Sequence, residues 1–250
     1  MSAFKVGVQL RPQGTSTDQI KAAWEQADAM GVDSIWTWDH FYPLFGDPDA
    51  THFEGWSLLA AMAVTTSRAQ FGALVTCNSY RNPELLADMA RTIDHLSHGR
   101  FVLGIGAGWF QRDYDEYGYE FGDAPGRLRA LRDNLPRIKR RIERLNPTPV
   151  GRLPIMIGGG GEKVTLRLVA EHADMWNGIG DPATVGRKSA IIDQWCAKVG
   201  RDPSAIERTA LVQPDANMQA YLDAGITHLI VGVNAPFELR AIERLLAERG

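Results

Sequence analysis

The strongest constraint on this chain is its rhythm. A short apolar run, a polar or glycine turn and an amphipathic stretch recur eight times between Phe4 and Glu248. Strands are predicted at 4–10, 34–38, 70–76, in the stretch opening at Phe101, and at 153–157, 174–177, 209–212 and 228–233. Helices are predicted near 16–30, 56–66, 83–97, 128–145, 162–171, 182–199, 215–224 and 237–248. The first helix opens on Ser16-Thr17-Asp18-Gln19, a capping box, and stops at Gly31. Pro136 is expected to kink or split the fourth. Strict alternation implies parallel strands with helices outside. Eight units favour closure into a (β/α)8 TIM-like barrel, with a doubly wound open sheet as the alternative.

Composition narrows the function. The 250 residues, 44% of them apolar, suffice for one domain spanning 1–250 with a sizeable core. A net charge of -3 carries no basic footprint, so no nucleic-acid partner is expected. Cys77 and Cys196 have no metal or redox spacing, which suits free thiols in the cytoplasm. No apolar run approaches the ~18 residues of a membrane span, and Met1-Ser2-Ala3 leads straight into a strand rather than a signal peptide.

In such a barrel the chemistry sits at the C-terminal ends of the strands. Phe101-Val102-Leu103-Gly104-Ile105-Gly106-Ala107-Gly108-Trp109 reads as a buried strand ending in spaced glycines with an aromatic at its mouth. Gly158, Gly159, Gly160 and Gly161 precede a predicted helix, with Lys163 just beyond. Free N–H groups and the helix dipole there suit a phosphate. Asp39-His40 ends the second strand and pairs a carboxylate with the side chain that titrates near neutrality. The long Pro/Gly/Asp-rich segment from Tyr42 to Phe53 is expected to be a functional loop. No strand-end lysine suggests a Schiff base, and no cluster has metal-ligand spacing, so no metal is expected. Neither a Gly-x-Ser-x-Gly elbow nor a pair of strand-end carboxylates is present.

Four stretches carry a resemblance: Ser34-Ile35-Trp36-Thr37-Trp38-Asp39-His40-Phe41, Arg81-Asn82-Pro83, Ser97-His98-Gly99-Arg100 continuing to Trp109, and Pro154-Ile155-Met156-Ile157 with its four glycines. They resemble the bacterial luciferase-like flavin and deazaflavin oxidoreductases, in particular the actinobacterial branch that uses coenzyme F420. The resemblance implies a TIM-like barrel with a deazaflavin across its strand ends. It places the tail phosphate on the glycines after the fifth strand and Asp39 at the deazaflavin's polar edge. His40 would handle the proton next to the reactive carbon. Ala73-Leu74-Val75-Thr76 resembles the segment where members form a bulge with a non-proline cis peptide, with Thr76 hydrogen-bonding the ring. Gly106, Ala107 and Gly108 would lie near the ribityl chain. The resemblance also implies a homodimer through the second and third helices, which carry Leu58, Leu59, Met62, Leu85, Leu86 and Met89.

The departures are informative. Members that oxidise a sugar phosphate carry a glutamate where Trp109 stands, which argues against that reaction here. The segment between the fourth helix and fifth strand, only Asn146 to Arg152, lacks the usual hairpin insertion. Trp38, Phe41, Trp109, Tyr114 and Trp176 are expected to shape an apolar substrate pocket. The expected activity is hydride transfer between F420 and a small organic molecule, with the protein positioning and protonating. The alternatives are an FMN-dependent monooxygenase of the same fold and a non-catalytic deazaflavin- or flavin-binding protein.

Overall fold

The computed structural model describes residues 4–249; the Met1-Ser2-Ala3 lead-in lies outside them. Nine parallel strands form one closed sheet. They are β1 (Lys5–Leu10), β2 (Ser34–Thr37), β3 (Gln70–Ala73), β4 (Thr76–Cys77), β5 (Phe101–Gly106), β6 (Ile155–Gly158), β7 (Met175–Ile179), β8 (Glu207–Val212) and β9 (His228–Val233). β1 pairs with both β2 and β9, and β5 pairs with both β3 and β4. β3 and β4 are therefore two halves of one stave, and the barrel has eight. The interruption falls at Leu74–Val75, which are joined by a cis peptide bond. The bulge and cis bond implied for the third strand are both present.

The helices are α1 (Thr17–Met30), α2 (Gly55–Thr65), α3 (Pro83–Leu96), α4 (Gln111–Tyr117), α5 (Ala124–Arg144), α6 (Thr165–His172), α7 (Pro182–Val199), α8 (Met218–Asp223) and α9 (Arg240–Glu248). Ser16 and Gln19 form the expected reciprocal cap of α1. α4 is an additional short helix in the acidic, aromatic stretch after β5. α5 runs unbroken through Pro136, so the expected split does not occur. Its apolar side, Leu131, Leu135 and Ile138, is buried on either side of that proline, and Arg137–Glu84 and Arg141–Asp88 pairs tie the part that follows it to α3. The burial and these anchors outweigh the local cost of the missing hydrogen bond. α6 begins three residues later than periodicity suggests, because the glycine run extends into a turn.

Most apolar burial lies between strands and helices, around Trp24, Leu59, Met62, Phe71 and Phe101. A smaller cluster of Trp36, Leu74, Val102, Met156, Met175 and Ile230 comes almost one per stave and fills the barrel interior. Arg100, within the glycine-strand motif, clamps the α2–β3 junction. Its guanidinium donates to the carbonyls of Ser97, Ala63, Thr66 and Ala69 and to Thr66 Oγ1. This part of the motif is thus structural.

At the N-terminal end of the barrel a polar network runs from the buried interior to the surface. Trp36 Nε1 donates to Ser34 Oγ (2.7 Å), which lies 2.7 Å from His228 Nε2. His228 Nδ1 in turn meets Glu207 Oε1 at 2.7 Å, and Lys5 Nζ donates to Glu207 Oε2. Ser34 and His228 are fully buried. Burial alone would raise the Glu207 carboxyl. The His228 hydrogen bond and charge and the Lys5 ammonium outweigh it, lowering the pKa from 4.5 to about 2. A depressed carboxyl stabilises the fold above its unfolded pKa and loses that contribution as pH falls through the folded one. The stability difference between wild type and Glu207→Gln, measured by urea unfolding, is therefore expected to be constant above pH 5 and to shrink by roughly 2–3 kcal/mol between pH 4.5 and 2.

Candidate active site

β2 runs directly into Trp38-Asp39-His40, so the backbone delivers these residues to the barrel mouth. Asp39 is buried and its carboxylate is fully engaged. Arg81 donates to both oxygens (2.7 and 2.9 Å), and the Cys77 N–H adds a third bond at 3.0 Å. Arg81 also reaches Glu54 at 3.0 Å and lies over the Trp56 ring. Burial works against the Arg81 charge, but Asp39 and Glu54 outweigh it and raise its pKa. The ion pair therefore stands, and Asp39 acts as an anchor for the β4 turn.

The sequence neighbours Asp39 and His40 do not pair with each other. His40 Nδ1 lies 2.7 Å from Oδ2 of Asp113, on α4. The same carboxylate accepts from Tyr80 Oη (2.9 Å), Phe41 N (3.0 Å) and Tyr42 N (3.2 Å). A carboxylate holding this many donors is an acceptor only, so Nδ1 carries the proton and Nε2 is the free face of the ring. Burial, followed by the Cys77 and Asp113 charges, pushes the Tyr80 phenol up, so it remains a donor. Trp109, Phe110 and Trp38 pack edge-on around the imidazole at centroid distances of 5.5–5.8 Å.

Trp38 is itself held by a histidine. Its Nε1 donates to His52 Nε2 at 3.0 Å. Burial and then the neighbouring His40 lower the His52 pKa to about 4, so its ring stays a neutral acceptor near neutral pH. The Tyr42–Phe53 loop thus contributes His52 as a brace and Leu44 and Phe45 as cavity wall.

These residues open on a cavity of ≈ 410 Å³ at the C-terminal ends of the strands. The cavity is lined by Trp38, Asp39, His40, Leu74, Thr76, Gly106, Ala107, Gly108, Trp109, Gly158 and Gly159, all expected from sequence. Gln9, Arg11, Val75 and Asn177 join them. Gln9 Nε2 donates to the Leu74 carbonyl at 3.1 Å, bracing the interrupted stave. Thr76 Oγ1 is buried without a hydrogen-bond partner among the described residues.

Several expected residues lie elsewhere. Phe41 stacks on Tyr117 and Tyr80 behind the cavity wall. Tyr114 is fully buried, its hydroxyl 3.1 Å from Cys77 Sγ. Trp176 is fully buried too, and its Nε1 donates to the Gly159 carbonyl. None of the three lines the cavity; their rings serve packing because the helices and the glycine turn close over them. Ala73 belongs to the core between barrel and helices. Lys163 is exposed on the turn before α6, outside the cavity lining. The cation beside the glycine run is Lys188, from α7. A Cβ on Gly160 would collide with its ammonium. Gly160 and Gly161 lie at the rim by Lys188 and Thr165 rather than in the cavity. Gly106 and Gly158 are glycine for a further reason: a Cβ at either would come within 2.8–2.9 Å of the Val75 methyls.

Asp113, Arg81, Lys188 and Arg11 escaped the sequence reading as site residues. Arg81 could have been found from its place in Arg81-Asn82-Pro83 and Arg11 from its position at the end of the first strand; Asp113 and Lys188 carry no local signal.

The barrel and its rim define an enzyme-type site: an apolar cavity, one oriented histidine and a glycine turn at the strand ends. The chain belongs to the luciferase-like monooxygenase family, whose pattern matches residues 1–223. A phthiodiolone/phenolphthiodiolone dimycocerosates ketoreductase of Mycobacterium tuberculosis is 29% identical over 228 residues, an alignment covering 76% of this chain and 59% of that one. An F420-dependent secondary alcohol dehydrogenase, solved with an F420-acetone adduct, superposes with a TM-score of 0.85 at 16% identity, covering 98% of this chain and 97% of that one. The FMN-bound oxygenating component of 3,6-diketocamphane monooxygenase from Pseudomonas putida superposes with a TM-score of 0.66 at 19% identity, over 84% of this chain and 67% of that one. The two structural likenesses are likenesses of fold.

Gly108 ties the rim to the core. It has φ +85°, and a Cβ there would strike the Tyr114 hydroxyl and come within 2.6 Å of Cys77 Sγ. Gly108→Ala is expected to lower stability by about 3 kcal/mol in urea unfolding. Tyr114→Phe in that background should recover part of the loss, since the two changes share one contact.

Proposed function

We propose that this protein is an F420-dependent oxidoreductase interconverting a carbonyl compound and its alcohol, or reducing a related conjugated acceptor, in the cavity at the barrel mouth. The observation that carries the reading is the His40–Asp113 pair: an imidazole locked with Nδ1 toward a buried carboxylate and Nε2 toward the substrate space. The deazaflavin would supply the hydride chemistry. Thr76 Oγ1, the unpartnered buried hydroxyl of the cavity wall, would accept or donate a hydrogen bond to its ring. Gly160, Gly161, the uncapped first turn of α6 and Lys188 would hold its phosphate.

In the reducing direction the His40 imidazolium, protonated on both nitrogens, would give its Nε2 proton to the substrate oxygen and be left as the Nδ1–H tautomer; in the other direction that tautomer would take the proton back on Nε2. Asp113 stabilises the imidazolium formed on the return. Trp109 replaces a carboxylate at the rim, so His40 is the one proton-transfer group proposed. Trp38, Trp109, Phe45 and Leu74 would exclude water from the reacting atoms. The end-to-end match to an F420-dependent alcohol dehydrogenase supports this reading over an FMN monooxygenase, whose likeness spans a smaller share of that chain, and the ketoreductase relative supports carbonyl chemistry. The same reading includes a homodimer through α2 and α3. Leu58, Leu59, Met62 and Leu86 face inward there, while Val64, Leu85 and Leu96 remain exposed on these helices.

Titration of the protein with F420 and, separately, FMN, followed by tryptophan fluorescence, is expected to show tight F420 and weak FMN binding, with Trp38 and Trp109 quenched. FMN binding alone would favour the monooxygenase, and tight F420 binding with no turnover of ketones, alcohols or enones would favour a carrier. His40→Ala is expected to lower steady-state turnover with F420 by about 10²- to 10⁴-fold, with F420 affinity retained. Full activity in that variant would overturn the role of His40.

A further inference from the structure

Arg11 directly follows β1 at the wall of the same cavity, and among the described residues it is a cation without an anion. It is only 7% exposed. Its Nε donates to Gln9 Oε1 at 3.4 Å and its Nη1 to Asn234 Oδ1 at 3.1 Å, both neutral acceptors. Nη2 makes no hydrogen bond among the described residues. Gly232 leaves room for it, since a Cβ there would collide with that nitrogen. The Phe45 ring lies 5.2 Å beneath the guanidinium. The other acids of the site are committed, Asp39 to Arg81 and Asp113 to His40. Among the described residues no carboxylate lies within 4 Å of Arg11.

A buried charge with no partner is costly, and a guanidinium offers a planar fork that matches a carboxylate. Burial is the sole influence displacing the Arg11 pKa, which it lowers; no neighbouring charge offsets it. The position of the residue also selects among anions. β1 and β6 are four staves apart in the eight-stave ring, so Arg11 stands across the mouth from the glycine turn and Lys188. An anion at Arg11 is therefore a different group from a phosphate held at that turn.

We propose that Arg11 is the specificity residue of this site and binds a carboxylate on the organic substrate, which makes the preferred substrate an organic acid. The inference deepens the proposed oxidoreductase reading and rests on it for the word substrate, but the anion subsite itself can be tested by binding alone.

The test uses the full chain, with and without F420, and calorimetric titration of three carboxylate–amide pairs: benzoate and benzamide, cinnamate and cinnamamide, hexanoate and hexanamide. At least one carboxylate is expected to bind about 10- to 100-fold more tightly than its amide, the range of a charge-assisted hydrogen bond. Arg11→Gln is expected to remove that preference while leaving F420 affinity and the thermal midpoint near wild type. Arg11→Lys, which keeps the charge and loses the fork, should retain part of it. The proposal is overturned if no carboxylate outbinds its amide in the wild type, or if Arg11→Lys and Arg11→Gln are equally without effect on the preference. It is also overturned if Arg11→Gln loses F420 affinity in place of carboxylate affinity, since the cation would then serve the cofactor. An Arg11-dependent carboxylate preference in a protein that binds no F420 would uphold the subsite and reject the oxidoreductase reading.

Discussion

The site depends on one buried carboxylate. Asp113 gathers the His40 imidazole, the Tyr80 phenol and the backbone N–H groups of Phe41 and Tyr42. It thereby fixes the tautomer of the one oriented acid–base group, the exit path of the chain from β2 and the packing of the aromatic layer beneath α4. Leaving that many donors unmet in a dry interior would be expensive. α4 is therefore held over the barrel mouth even though it is only seven residues long.

The two ends of the barrel use buried polar groups differently. At the N-terminal end, Trp36, Ser34, His228, Glu207 and Lys5 form a chain in which the inner members have no access to solvent. That arrangement stabilises the fold and offers no surface to a ligand at Ser34. At the C-terminal end, paired groups (Asp39 with Arg81, His40 with Asp113) alternate with groups left unmatched, Thr76 Oγ1 and Arg11. Unmatched polar atoms beside a cavity are where a ligand gains most. The interrupted third stave is braced at this C-terminal end: Val75 packs between Gly106 and Gly158, while Gln9 holds the Leu74 carbonyl.

Much of the architecture was legible because it is periodic. The eight-fold alternation, the Ser16 cap, the glycine rim and the location of Asp39, His40, Thr76 and Trp109 at strand ends all follow from short-range pattern. The errors have a common cause. Phe41, Tyr114 and Trp176 were read as pocket residues because aromatics near a site can face either way, and only packing decides which. Lys163 was read as the cation of the glycine turn because it is next in sequence, whereas Lys188 reaches it from a different helix. Asp39 and His40 are adjacent, yet each takes its partner from some 40 to 70 residues away.

The amino-acid sequence by itself determined the eight parallel strand–helix units, the positions of the strand ends and the family to which the chain belongs. These depend on hydrophobic period, turn residues and motifs that are local along the chain. Tertiary structure alone decided that His40 is paired with Asp113, that Asp39 is neutralised by Arg81 and that Arg11 has no counter-ion among the described residues. Those facts are differences between charges brought together from separate elements, and their strength depends on burial that exists only once the barrel has closed.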